Sequence, residues 1–316
     1  MQSPRRSFIL KVSAAFERSL ASVVESVDRS ETVSARLPFP EKGSKMQHFP
    51  RFNFFCGIAL ASVAFLVSAA PTFADDVKSP ENAAKSTVLR VLSYNIQIGR
   101  APGGSYSDPT QAFLDRTAKV IADVNPDVAG LQEVDNKTNR SGADVDQLAT
   151  LAEKTGLNGK FESKIELPGG LYGVGVLSRE KPIKTAKVYV KGSAHRRVLQ
   201  ICEFEKYVFF NTHFPLTQET RLQAVKIVEE EAKKYDKPII LVGDINATPD
   251  SAEVVELKKT WRSIGADAPT FRADKPTVQI DYIFIRNAPN ARVVETCVVD
   301  EPLASDHRPV FCVVEF

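Results

Sequence analysis

Near its C-terminus the chain reads Ser305-Asp306-His307-Arg308-Pro309, an acid beside an imidazole just ahead of an apolar run at 310–314. Other apolar runs also stop at groups able to bind a metal ion or move a proton. The run 91–94 meets Asn95, 128–132 meets Glu133, and 208–212 meets His213. The run 239–243 meets Asp244, with Asn246 two residues on, and 278–280 meets Asp281. Taken singly, most have a plain explanation: Glu133 as a solvated loop acid, Asp244 as the start of a turn, Asn246 as a side chain capping its own backbone. Asp281 resists that treatment. It stands among Ile280, Tyr282, Ile283 and Phe284, and a buried carboxylate needs a partner. Of the 4 histidines, His213 and His307 fall in these segments, whereas His195, in Ser193-Ala194-His195-Arg196, is expected on the surface. Six accidents together are far less credible than one.

The chemistry of such a set follows from its donors. Carboxylates with amide oxygens make a hard, oxygen-rich site that favours Mg²⁺ or Mn²⁺. Such ions bind phosphate oxygens and offset the charge that develops during phosphoryl transfer. A histidine held by a carboxylate keeps one tautomer and gains basicity. An acid that orients water in line with phosphorus completes a hydrolytic site.

To bring these groups together the chain must fold their strands into one unit. β-branched content and alternation predict a strand at 88–96. A Gly/Ser/Pro loop at 99–109 precedes a helix at 110–124, where Phe113, Ala118, Val120 and Ile121 can form a buried face. Asn125-Pro126 ends that helix. A short buried strand at 127–131 is expected next, then a polar loop at 135–143 and a helix at 144–155. Runs at 160–166, 172–178, 184–191 and 197–204 read as antiparallel hairpins. A strand at 207–212 leads to a charged helix at 218–235 with Ala224, Val225, Ile227 and Val228 inward. The wholly apolar 238–242 suits a central strand, and Thr248-Pro249 has the form of a helix start. Strands at 279–285, 292–299 and 310–316 finish the chain. Helices spaced among paired strands bury best as two packed sheets with helices outside.

Ahead of this lies a different kind of sequence. Residues 54–70 carry no charge, follow a basic lead from Met46, and exit through Pro71-Thr72-Phe73-Ala74. That is the pattern of a secretory signal at 46–74 with cleavage after Ala74; a retained membrane anchor is the alternative. Residues 1–45 read as a disordered, over-extended N-terminus, with Met46 as the start, and 75–87 as a flexible lead to a domain at 88–316. With 9 of the 41 basic and 5 of the 39 acidic residues ahead of residue 75, the remainder carries 32 and 34, a net charge of −2. A protein that tracks long nucleic acid shows a basic excess, so nucleic acid is not the favoured partner. Of the 4 cysteines, Cys202, Cys297 and Cys312 follow the leader. Cys297 and Cys312 could pair, and no C-x-x-C spacing points to zinc.

In this order, Ser-Tyr-Asn95, Leu-Gln-Glu133, Tyr172-Gly-Val-Gly-Val-Leu-Ser178, Asn-Thr-His213, Gly-Asp244-Ile-Asn246, Ile-Asp281-Tyr and Ser-Asp306-His307 resemble the endonuclease/exonuclease/phosphatase superfamily. DNase I-like nucleases, neutral sphingomyelinases, inositol polyphosphate phosphatases and deadenylases are among its members. The likeness runs over residues 88–316 and implies a DNase I-like α/β fold, a four-layer α/β/β/α sandwich with its site at one edge of two facing sheets. It also implies roles. Glu133 would hold Mg²⁺ (or Mn²⁺) with Asn95 and Asp306 nearby. Asp244 would orient or deprotonate the attacking water, and Asn246 would bind the phosphate. His307, oriented by Asp281, would assist proton transfer, and His213 would stabilise the transition state or the leaving oxygen. The runs Asn139-Arg140-Ser141-Gly142, Asp146-Gln147 and 168–173 are similar to the phosphodiesterase-like domain of GPI-anchor lipid remodelling proteins. Within them Arg140 could clamp a phosphate bidentately, with Tyr172 and Arg196 as further substrate contacts and Arg221 a weaker one. Leu171, where repair-type abasic endonucleases carry Tyr, and the Asn-Thr-His segment they lack, argue against a repair nuclease. Leader and resemblance together lead to the expectation of an exported, monomeric, metal-dependent phosphodiesterase or phosphatase. Its substrate would be a lipid head-group, inositol or sugar phosphate, reached in solution or at a membrane surface. A secreted nuclease is the first rival, and a binding protein that has lost catalysis the second.

Overall fold

A computed structural model describes residues 86–100, 103, 110–190 and 197–316. The expected signal segment, the residues before it, and most of the lead and of the 99–109 loop lie outside these, as do His195 and Arg196. No helix among the described residues is long and apolar enough to cross a membrane.

Two six-stranded sheets form the body. The first runs β11(Arg292–Val298), β12(Val310–Glu315), β1(Val88–Asn95), β2(Val128–Asn136), β4(Gly170–Ser178), β3(Asn158–Leu167). The second runs β5(Lys184–Tyr189), β6(Val198–Glu203), β7(Val208–His213), β8(Ile239–Asp244), β10(Asp281–Arg286), β9(Arg262–Ser263). Each sheet contains one parallel pair, β1 with β2 and β7 with β8. A parallel neighbour requires a crossover, and helices α1(Thr110–Val124) and α3(Gln218–Ala232) supply the two. Consequently the C-terminal ends of four central strands open on the same kind of rim, in register: Asn95 beside Gln132, His213 beside Asp244. β10 runs antiparallel to β8 and starts with Asp281 directly across from Asp244.

Strand alternation sorts the core into three apolar layers. Val91, Val128, Phe209, Ile240, Val242 and Ile283 fill the space between the sheets. Leu92, Tyr94, Leu114, Ile121 and Leu151 pack α1 and α2(Gln147–Thr155) on the first sheet. Phe210, Ala224, Val228, Leu241, Val254 and Trp261 pack α3 and α4(Ala252–Leu257) on the second. Each fully buried large apolar side chain contributes about 1.5–3 kcal/mol. The result is the expected four-layer α/β/β/α sandwich. Gly130 lets the sheets approach: a Cβ there would lie 2.3 Å from Val242 Cγ2 and 2.7 Å from Asn211 Oδ1. Asn211 donates to the Leu131 and Gly175 carbonyls and accepts from Gln132 Nε2 at 2.8 Å, so buried amides link the two sheets.

Several expectations are corrected. β2 does not stop at Leu131 but continues to Asn136, because the polar residues that suggested a loop still pair with β4. The helix expected at Thr248-Pro249 starts later, at Ala252 behind Ser251. Cys297 and Cys312 do not pair. Their strands are neighbours, but Cys312 stands opposite Thr296 and Cys297 opposite Phe311. One thiol is buried and the other exposed, so they face opposite sides of the sheet. The lead is tied down at its end, where Thr87 and Phe316 exchange backbone hydrogen bonds of 2.7 and 2.9 Å.

Candidate active site

Asp244 is the hub. It ends the apolar β8 and is almost wholly buried. Gly243 before it is required by crowding, since a Cβ there would sit 2.1 Å from the Thr212 carbonyl oxygen. Asp244 Oδ1 accepts from the Asn246 backbone N–H at 2.9 Å. Its Oδ2 accepts from Asn95 Nδ2 at 3.1 Å and lies 3.4 Å from His213 Nε2 and 3.7 Å from His307 Nε2. Burial pushes its pKa up to about 7, against the pull of His307 and with help from Asp281.

His307 stands between two acids. Its Nδ1 lies 2.9 Å from Asp281 Oδ2, which also accepts from Thr270 Oγ1 at 2.6 Å. Burial favours the neutral ring, but Asp281 and Asp244 together outweigh it and lift the pKa well above the usual histidine value. Phe271 packs on the ring at 4.8 Å between centroids. The Ser-Asp-His-Arg-Pro turn is held from both sides. Ser305 Oγ donates to the Asn95 carbonyl at 2.7 Å, Gln97 Oε1 accepts from the Asp306 N–H at 3.1 Å, and Arg308 Nε donates to the Ala273 carbonyl at 2.8 Å.

Glu133 reaches this rim through a β-bulge. The β2–β4 register shifts between Gln132 and Val134, and Glu133 itself has φ +56°. An extra residue in the strand re-aims a side chain that would otherwise follow the pleat. Its Oε1 accepts from Asn95 Nδ2 at 3.1 Å. Asn95 Oδ1 faces the Gln97 N–H at 3.0 Å, so Asn95 enters as a donor that ties Glu133 to Asp244, where the sequence suggested an oxygen for the metal. Asp306 is pushed up to about 6 by burial, against the pull of His307 and with Glu133 adding repulsion. Two carboxylates that repel one another in a partly dry site suit a divalent cation, and Glu133 and Asp306 would hold it. Asp244, Asp281 and His307 also present ligand atoms within 4.8 Å of one another, but there the imidazole already links the acids.

The cationic side wall differs from expectation. Arg140 grips Asp135 bidentately, Nε to Oδ2 and Nη2 to Oδ1 both at 2.8 Å, where the sequence suggested a phosphate clamp. Asp135 is buried and also accepts from Thr138 and Ser141, so the arginine completes a loop-ordering network. Arg221 is likewise bound to buried Glu253 at 2.6 Å. Asn246 has φ +52° and donates its side-chain amide to the Phe214 carbonyl at 2.9 Å. Tyr172 does line the wall, with Arg140 Cζ 5.0 Å and Arg197 Cζ 6.0 Å from its ring centroid. Burial, then Glu133, holds its hydroxyl firmly protonated. Arg197, next to the expected Arg196, was not anticipated; its Nη1 lies 3.0 Å from His213 Nδ1. Thr270, Phe271 and Gln97 were missed as well, since nothing in their local sequence marks them.

Fold and site together define a four-layer sandwich with an acid–histidine cluster at one rim. The family model described as "Endonuclease/Exonuclease/phosphatase family" matches residues 92–307, and the chain belongs to that family, whose enzymes act on phosphoesters and generally depend on a divalent metal. Solved structures share the fold. An endonuclease/exonuclease/phosphatase from Bacteroides vulgatus is 20% identical over 73% of this chain and 99% of its own, with a TM-score of 0.60. The mannosyl-6-phosphatase of Bacteroides thetaiotaomicron VPI-5482 is 20% identical over 72% and 100%, with a TM-score of 0.58. D. rerio TDP2, complexed with single strand DNA product, is 18% identical over 72% and 99%, with a TM-score of 0.55.

Proposed function

We propose that this chain is a divalent-metal-dependent phosphodiesterase or phosphatase that cleaves a lipid head-group, inositol or sugar phosphate by in-line attack of a water on phosphorus. The carrying observation is the position of Asp244 between His213, His307 and Asn95 at 3.1 to 3.7 Å. A buried carboxylate with affinity for a proton near neutrality is suited to take one from water. His307, charged and braced by Asp281, would donate from Nε2 to a phosphoryl or leaving oxygen. His213 would donate a hydrogen bond to the same group, and the Asn246 side chain would border the phosphate. Glu133 and Asp306 would hold the cation, which when bound supplies charge to offset that developing on the phosphoryl oxygens. The Tyr172 wall would flank the substrate's organic part.

Support for a small substrate comes from the charge balance of the chain beyond the leader, which lacks the basic excess of a nucleic-acid tracker. We further propose that residues 46–74 direct export with cleavage after Ala74, on their signal-like pattern; N-terminal sequencing of secreted protein would test this. The decisive assay uses residues 75–316 with Mg²⁺ or Mn²⁺, against phosphoinositides, sphingomyelin, sugar phosphates and single- and double-stranded DNA, with an EDTA arm. Phosphate or head-group release that EDTA abolishes is expected. Cleavage of DNA alone would replace this reading with the nuclease, and binding without turnover would replace it with the inactive binding protein.

A further inference from the structure

Two histidines flank Asp244, and their second partners have opposite sign. His307 Nδ1 faces the Asp281 carboxylate at 2.9 Å. His213 Nδ1 faces the Arg197 guanidinium at 3.0 Å. A guanidinium nitrogen can only donate, so His213 Nδ1 must be the lone-pair nitrogen. A neutral imidazole carries one N–H, which then falls on Nε2, 3.4 Å from Asp244 Oδ2. A proton on Nδ1 would set N–H against N–H in a buried site.

We propose that Arg197 is a positioning residue that locks His213 in its neutral Nε2–H tautomer, making it a fixed hydrogen-bond donor. The assignment of what that donor serves rests on the proposed phosphoester chemistry; the tautomer itself rests on the contacts. The groups facing His213 are Arg197, Asp244 and His307. Burial, then the Arg197 cation and His307, holds its pKa well below the usual value, in keeping with a ring that stays neutral. Arg197 is placed for this just ahead of β6, where its carbonyl accepts from the Val190 N–H at 2.9 Å and its guanidinium leans towards Tyr172.

Imidazole ¹⁵N NMR on the metal-free protein reads the tautomer without reference to turnover. His213 should show a proton on Nε2 and none on Nδ1 from about pH 6 to 8, around the ordinary histidine pKa. Arg197→Lys keeps a donor and should retain that pattern. Arg197→Glu offers an acceptor to Nδ1 and should move the proton there, cutting kcat by about 10²-fold through loss of an aimed donor. Arg197→Met should give mixed tautomers and a smaller loss in kcat. A wild-type spectrum with the proton on Nδ1 would overturn the proposal, as would an Arg197→Glu protein that keeps the Nε2–H form. A rise in KM alone, with the tautomer unmoved in every variant, would reassign Arg197 to substrate binding. The expected wild-type tautomer in a protein that hydrolyses no phosphoester would instead refute the functional reading and leave the lock standing.

Discussion

Asp244→Asn should make the metal-free protein more stable while it loses its activity. The fold lifts the Asp244 pKa from 3.8 to about 7, chiefly through burial, and each pH unit is worth ~1.4 kcal/mol. Keeping that carboxylate ionised in the folded state therefore costs up to about 4 kcal/mol. Asn keeps the acceptor for the Asn246 N–H but sets an NH₂ against Asn95 Nδ2 and the His213 Nε2–H, losing two contacts worth ~1 kcal/mol each. His307 also loses one of its two acids, so a net gain of about 1–2 kcal/mol remains. At ~2–4 °C per kcal/mol for a domain of this size, Tm should rise by about 2–8 °C. The sign of the pH dependence follows from linkage. The folded protein binds this proton more tightly than the unfolded chain, so its contribution to stability is lost as pH rises from about 4 to about 7, and the variant lacks that loss. The gap in Tm should open across that window and stay open above it. Calorimetry in EDTA between pH 5 and 8 measures it, and steady-state assays with Mg²⁺ should show kcat down by about 10²–10⁴-fold. Turnover within tenfold of wild type, or a Tm gap flat across pH, would refute the reasoning.

Arg140→Ala strips a buried carboxylate of its cation and should cost about 3 kcal/mol in urea melts; unchanged stability with a raised KM would return Arg140 to phosphate binding. Thr270→Val removes the 2.6 Å bond to Asp281 and should lower kcat by roughly 10-fold or more at constant KM; unaltered kcat would mean that Phe271 and the backbone suffice to hold His307. Gly130→Ala puts a methyl 2.3 Å from Val242 and should destabilise by about 1–3 kcal/mol in the same melts; a neutral result would mean that the sheets can part.

Strands rich in Val, Ile and Phe were legible because alternate residues are buried on both sides of each sheet. β1, β7, β8, β10 and β12 lie within two residues of their expected bounds, and the polar residues that end them do meet. What local pattern cannot carry is pairing. The chain leaves one sheet after β4 and enters the other at β5, although four successive runs read alike. Glu-Val-Asp-Asn looks like a loop, yet it pairs with β4 through a bulge, because hydrogen bonding to a neighbour needs no apolar side chain. Asp135 was the missed signal for Arg140. It is a carboxylate between Val134 and the strand's last residue, and burying it demanded a cation close in sequence.

Part of the strain in the fold lies at the same rim as its charge. Glu133 adopts left-handed backbone there, which costs such a residue about 1–2 kcal/mol. Beside it Asp244 and Asp306 are carboxyls whose ionisation burial opposes. Packing alone would select against each of these, since Gly suits the backbone and amides suit the interior. A divalent cation held as proposed above would offset part of that cost. It would stabilise Glu133 and Asp306 as anions and give the bulged carboxylate a target.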